Sequence, residues 1–265
     1  MNAEYMNLRT KFGKVLDSMA GRYNRWDIFT DWATMAAISI QNAVWFRQEY
    51  EDEYLRIAKK YKPEELSRIA ELLAIVTQGL STGFCDFVGD CFMNFGMGAS
   101  DKGQFFTPYH IGELMGEMTL EKEKIAAAVA EKGYVTMMDC ACGCSALLIG
   151  GAEAFQKAGY NHQQQLLVYA NDIDRRCALC SYIQLSLFGI PAIVTVGNAL
   201  TLEMHEEFHT PAYVLQWYKF KNWRENAKNA PSGDEKPQGI ITPPAEIKTP
   251  QVAAKQPTVG QLMLF

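Results

Sequence analysis

No apolar run in these 265 residues approaches the length needed to cross a bilayer, and the N-terminus carries no signal-peptide pattern. A cytoplasmic chain with no membrane partner is expected. Positive charge is also in deficit. Lys and Arg number 25 against 30 Asp and Glu, a net charge of -5. That excludes a global basic signature for nucleic acid, so a DNA partner would need a local basic face. Histidine is scarce, and His110, His162, His205 and His209 show neither ligand nor triad spacing. There is no phosphate loop and no G-x-S-x-G elbow. The seven cysteines lack the regular spacing of a disulfide framework and fit a reducing compartment.

What is present is concentrated between Tyr134 and Leu200. Tyr134-Val135-Thr136-Met137-Met138 has strand length and composition, and the small-residue turn Asp139-Cys140-Ala141-Cys142-Gly143-Cys144-Ser145 follows it. A helical pattern comes next, then a strand over 165–170 ending in Asn171-Asp172-Ile173-Asp174. A second helical pattern leads to a third strand, Ile193-Val194-Thr195-Val196, which ends at Gly197-Asn198. Strands alternating with helices at this spacing predict a parallel sheet with helices on its faces. Such sheets bind ligands at the carboxyl ends of their strands, where Asp139, Asp172, Asp174 and Asn198 fall. A turn of small residues lets a ligand approach backbone at a helix N-terminus, and the acidic residue after the second strand suits the two hydroxyls of a ribose. The segment therefore reads as a nucleoside-cofactor site. Cys140, Cys142, Cys144, Cys177 and Cys180 contain C-x-C and C-x-x-C pairs. Zinc held in the turn would displace the cofactor, so small thiols filling tight turns are the preferred reading and no metal is expected.

The remainder divides by composition. Residues 1–98 read as a helical N-terminal subdomain, with apolar residues at helical spacing from about Lys11 to Leu80, Asp27 and Thr30 as candidate caps, and Pro63 at a helix start. Its aromatics, Tyr23, Trp26, Trp32, Trp45 and Phe46, are read as core. Residues 99–225 form the α/β domain, whose Thr107-Pro108 predicts a capped helix running through Ile111, Leu114, Met115 and Met118. Residues 226–260 hold six of the ten prolines and almost no aromatics, the composition of a linker.

Gly103-Gln104-Phe105-Phe106-Thr107-Pro108 strongly resembles the G-Q-F-[FY]-T-P signature of adenine-N6 DNA methyltransferases, above all the modification subunits of type I restriction systems. The turn from Asp139 to Ser145 stands where that family carries D-P-x-[CA]-G-[ST]-G. Asn171-Asp172-Ile173-Asp174 matches its ribose-binding position. Residues 178–189 resemble a helix ending in N-L-x-L-H-G, and Gly197-Asn198-Ala199-Leu200 resembles G-D-[ST]-L. The resemblance implies a Rossmann-like, three-layer α/β sandwich that binds S-adenosyl-L-methionine. It implies cofactor contacts from Phe106, Thr107, Pro108, Asp139, Ala141, Gly143, Asp172 and Asn198, with DNA as substrate and a separate specificity subunit as partner.

The departures are equally specific. Cys140 replaces the turn's proline and Ser145 its last glycine, which sets a Cβ where the methionine portion would pass and asks for a positive φ from a residue that resists it. Asn198 replaces an aspartate; its carbonyl oxygen can accept from adenine N6 without a charge. The family's [NDS]-P-P-[YF] loop, whose acceptors meet the target amine and whose aromatic stacks on a flipped base, has no clear match after Asn198. Thr210-Pro211-Ala212-Tyr213 is read as a degenerate version, with Thr210, Pro211 and Tyr213 as catalytic residues, although Glu203 to His209 would make a poor buried strand before it. Ile241-Thr242-Pro243-Pro244 holds a Pro-Pro pair but sits in the tail with no strand ahead of it. Lys219, Lys221, Arg224 and Lys228 form a small basic cluster, read as a solvated face.

The chain ends in Gln261-Leu262-Met263-Leu264-Phe265. Its Q-L-x-L-F form resembles the peptide by which bacterial replication proteins dock on the sliding clamp, with Gln261, Leu262, Leu264 and Phe265 as contacts. The same letters over 184–188 fall in a helix and are read as core. Two functions follow: adenine-N6 methylation of DNA, or a catalytically inactive methyltransferase-like module that binds DNA or a partner and is tethered to the clamp.

Overall fold

The computed structural model describes residues 3–95, 107–216 and 220. The chain divides at Trp217/Tyr218, and the architecture below is that of the first unit. Phe105, Phe106, the basic cluster, the linker and Gln261 to Phe265 lie outside the described residues.

Five helices open the chain: α1 (Ala3–Met19), α2 (Arg25–Val44), α3 (Gln48–Ala58), α4 (Pro63–Ser81) and α5 (Phe87–Asn94). Pro63 opens α4 as expected, but α2 is capped by Asn24, whose side chain accepts the Trp26 N–H, rather than by Asp27 or Thr30. The aromatics pack inward at helical spacing. Trp32 is fully buried, with its ring 5.3 Å from Phe12 and 5.2 Å from Phe29. Phe46 is the exception and lies exposed.

The second half runs α6 (Tyr109–Thr119), α7 (Lys122–Lys132), β1 (Val135–Asp139), α8 (Ala146–Lys157), the single turn α9 (His162–Gln165), β2 (Leu166–Asp172), α10 (Arg175–Leu187), β3 (Ala192–Asn198), β4 (Glu203–His209) and α11 (Pro211–Leu215). Helix α6 starts one residue later than expected. Pro108 occupies its cap position, and Thr107 makes no capping bond. Strands β1, β2 and β3 are parallel neighbours, with Met137 opposite Val168 and Val168 opposite Ala192. This is the Rossmann-like α/β arrangement expected for a methyltransferase, beside a helical N-terminal half.

The fourth strand departs from expectation. The sheet order is β1-β2-β3-β4, and β4 folds back antiparallel on β3, pairing Asn198 with Glu203 and Ile193 with His209. The charges of Glu203, His205, Glu206 and Glu207 that argue against a buried strand are tolerable on this edge. Among the described residues nothing pairs with the outer edge of β1, where Thr136 and Met138 stay exposed.

Helix α10 joins the halves. Residues 177–185 are all buried, Ser181 and Gln184 included, so this helix has protein on every side. It packs on β2 and β3 and also on α2, α4 and α5, so one continuous core runs through both halves. At the surface of this junction the Arg175 guanidinium reaches Glu53 on α3 (2.9 Å) and Glu206 on β4 (2.6 Å).

Helices α6 and α8 pack backbone to backbone. A Cβ at Gly112 would lie 2.5 Å from the Ala146 carbonyl oxygen, and one at Gly116 would lie 2.9 Å from the Gly151 Cα. The pair runs side by side in the same direction, because Tyr109 bonds Glu153 and Glu113 bonds Lys157. Thr107 and Pro108 are thereby carried to the N-terminal end of α8, where the turn after β1 finishes.

Candidate cofactor site

The bend from Asp139 to Ser145 is held from three sides. Asp139 Oδ1 accepts the Ala141 N–H at 3.0 Å, and Asp172 Oδ2 accepts the Gly143 N–H at 2.8 Å. Asn171, almost fully buried, donates from Nδ2 to the carbonyls of Cys140 and Gly197, both at 3.1 Å. Its Oδ1 accepts the Thr195 hydroxyl at 2.9 Å. One amide therefore ties the bend, β2 and the end of β3 together. Asn171 was visible in the sequence only as the neighbour of Asp172. The signal that could have found it is a polar residue on an otherwise apolar strand, one position short of the strand end.

The cysteines of the bend divide between its two faces. Cys142 and Cys144 are buried, whereas Cys140 and Ala141 face outward. Burial pushes the thiols of Cys142, Cys144 and Cys177 well up, so they sit as neutral fillers. Gly143 takes φ +54°, and Ser145 takes φ +76°, the left-handed conformation expected for the position of the missing glycine. The Ser145 side chain is fully buried, and its hydroxyl pairs with that of Ser181 on α10.

Asp172 uses both oxygens locally, since Oδ1 accepts the Asp174 N–H at 2.8 Å. Burial holds its carboxyl above the ordinary value, the two backbone donors pull it down, and Asp174 and Asp139 push it up. Each oxygen keeps a second lone pair. Asp139 Oδ2 is buried and has no partner among the described residues. That is an acceptor awaiting a donor at the strand end where a cofactor is expected, and it fits the ammonium of an amino-acid moiety. Asn198 requires a correction. Its Oδ1 accepts the N–H groups of Leu200 (2.9 Å) and Thr201 (3.3 Å) in the turn to β4, so its carbonyl oxygen is committed. The Nδ2 donor is the group left for a ligand. Two apolar side chains flank this rim and were not singled out from the sequence: Ile173, 72 % exposed, and Leu200, 95 % exposed. An apolar residue set among the carboxylates of a strand-end loop was the available signal.

The expected catalytic residues are not here. Thr210 Oγ1 accepts the Ala192 N–H at 2.8 Å and donates to the Ile190 carbonyl at 2.8 Å, both at the amino end of β3. Asn198 lies six residues further along the same strand, roughly 20 Å away at the usual rise. Tyr213 is buried, and its ring stacks 5.0 Å from His209, which in turn stacks 4.8 Å from Trp45. The physical reason is the antiparallel course of β4, which delivers Thr210, Pro211 and Tyr213 to the wrong end of the sheet. Thr210 caps α11, and Tyr213 packs into the core.

The N-6 DNA Methylase family model matches residues 91–244, more than half of the chain. The chain belongs to the N-6 DNA methylase family. The match contains all three parallel strands and the bend between β1 and α8, and it continues beyond the described residues to Pro244. No curated protein and no solved structure matches the chain. No helix among the described residues is long and apolar enough to cross a membrane.

Proposed function

We propose that this N-6 DNA methylase binds S-adenosyl-L-methionine at the carboxyl ends of β1, β2 and β3 and methylates adenine N6 in DNA. The observation that carries the reading is the buried, partnerless Asp139 Oδ2 beside the Gly143 bend, inside the segment matched by the family. Asp139 would accept from the cofactor's ammonium, and Ala141 and Gly143 would let its methionine portion lie close to backbone. Asp172 would accept from the ribose hydroxyls with its remaining lone pairs. Asn198 Nδ2 would donate to a ring nitrogen of the adenine, between the apolar faces of Ile173 and Leu200. Phe106, Thr107 and Pro108 keep the roles the resemblance implies for them. The bound cofactor supplies an electrophilic methyl group on a sulfonium. What the protein must add is chiefly position, together with acceptors for the amine's hydrogens.

Thr210 bonds Ile190 and Ala192 at the amino end of β3, so we assign the acceptor role instead to Thr242, Pro243 and Pro244, the last residues of the family match. The Thr242 hydroxyl and a prolyl carbonyl are the acceptor types required. A separate specificity subunit, and docking of Gln261 to Phe265 on a sliding clamp, extend the reading to partners. Loss of clamp pull-down on deleting those five residues tests the second.

The experiment is transfer of labelled methyl from S-adenosylmethionine to adenine-containing DNA, with calorimetry of cofactor binding alongside. Wild type should bind at micromolar concentration. Asp172→Ala should abolish binding, and Thr242→Ala should abolish transfer while leaving binding intact. Cofactor binding without transfer to any DNA would favour the inactive module; no binding at millimolar cofactor would remove the reading altogether.

A further inference from the structure

A side chain of α10 links the helical N-terminal half to the cofactor bend. Gln184 lies in the middle of α10 and is fully buried. Its Nε2 donates to the Cys144 carbonyl at 2.7 Å and to Asp86 Oδ1 at 2.8 Å, and its Oε1 accepts the Val88 N–H at 3.1 Å. Asp86 also accepts the Gly89 N–H at 2.8 Å as the cap of α5. Every donor of this amide is therefore used, and neither Gln184 nor Asp86 can move without leaving a buried polar group unpaired.

The carbonyl that Gln184 holds belongs to the residue just before Ser145, whose left-handed backbone turns the chain into α8. The sheet fixes only one half of that bend. Asn171 and Asp172 hold its first half, at Cys140 and Gly143. Gln184 holds its second half, at Cys144, while its remaining bonds run to Asp86 and Val88 at the start of α5.

We infer that Gln184 is a positioning residue for the cofactor bend, set in place by Asp86, so that the helical N-terminal half governs the shape of the cofactor site. The inference rests on the bend being the cofactor site, as proposed above. Replacing Gln184 with methionine keeps the volume and removes all three bonds. Replacing it with glutamate keeps the acceptor for Val88 and removes both donors. Replacing Asp86 with asparagine keeps an acceptor for Gln184 and Gly89.

Two measurements on the full chain decide the matter. In amide hydrogen exchange without ligand, Gln184→Met should speed exchange over residues 140–146 at least tenfold while β2 and β3 stay protected. Gln184→Glu serves in its place if the methionine variant does not fold. In calorimetry, the affinity for S-adenosylmethionine should fall at least tenfold in the same variant, with Asp86→Asn close to wild type in both readouts. Unchanged exchange in the bend, loosening spread evenly over β2 and β3, or an Asp86→Asn variant as impaired as Gln184→Met would each overturn the inference. If wild type takes up no cofactor, the cofactor reading fails; the exchange comparison still decides whether Gln184 holds the bend.

Discussion

The two ends of the sheet carry similar residue types and have opposite characters. At the carboxyl end, Asp139, Asp172 and Asn198 bond the local backbone and still keep unused capacity: a partnerless Oδ2, spare lone pairs, an idle amide donor. At the amino end, Thr210 is saturated by Ile190 and Ala192, and Tyr213 and His209 stack out of reach of solvent. The contrast teaches that a polar side chain is available for chemistry only if folding leaves part of its bonding capacity unspent. The Thr210 hydroxyl is a suitable acceptor, but at the amino end both its bonding directions are taken.

Substitutions can break or sharpen that contrast. The largest effect is expected at the packing that carries Thr107 and Pro108 to the rim. A Cβ at Gly150 would overlap the backbone of Gly112 and Glu113. Gly150→Ala should therefore destabilise by about 3 kcal/mol in urea unfolding, outweighing the roughly 1 kcal/mol that alanine gains in a helix. Next is Thr210→Val, which strips two buried bonds at the amino end. It should cost about 2 kcal/mol of stability and leave cofactor affinity unchanged; a large loss of affinity at full stability would erase the distinction between the ends.

A third substitution works through pH. Burial pushes Asp86 up to about 7, against the pull of its Gln184 and Gly89 donors. The folded chain then keeps a proton that the unfolded chain releases above about pH 4. The stability this gives is complete at low pH and is lost as pH rises towards 7. Asp86→Asn should flatten that slope and gain on the order of 2 kcal/mol relative to wild type between about pH 5.5 and pH 8, read by urea unfolding at each pH. The smallest effect concerns the hydroxyl pair. Ser181→Ala alone should cost about 1 kcal/mol, because the Ser145 hydroxyl is left buried and unpaired. Adding Ser145→Gly should restore most of it, since glycine accepts the positive φ freely.

Much of this fold was legible in the sequence, and the reasons are local. Tyr134 to Met138, the strand before Asp172, and Ile193 to Val196 have the composition of buried parallel strands, and the bend of small residues announces itself. The positive φ at Ser145 followed from one missing glycine. What could not be read was direction and partner. Glu203 to His209 is a strand, but nothing in its seven residues says that it turns back on β3, and the placing of Thr210 to Tyr213 depends wholly on that turn. Asn171 and Gln184 were hidden for a related reason. A buried amide among apolar neighbours looks like a blemish in the pattern until the carbonyls it serves, 31 and 40 residues away, are known.

The serine at the mouth of α8 has a consequence for how such chains can diverge. Its left-handed backbone is anchored by a hydroxyl on a helix 36 residues further along the chain. Among descendants, alanine at position 181 costs least where position 145 has become glycine, and a chain that keeps serine at 145 gains from a hydrogen-bonding residue at 181. The two sites are therefore biased to change as a couple, and a family tree of this protein should record that bias.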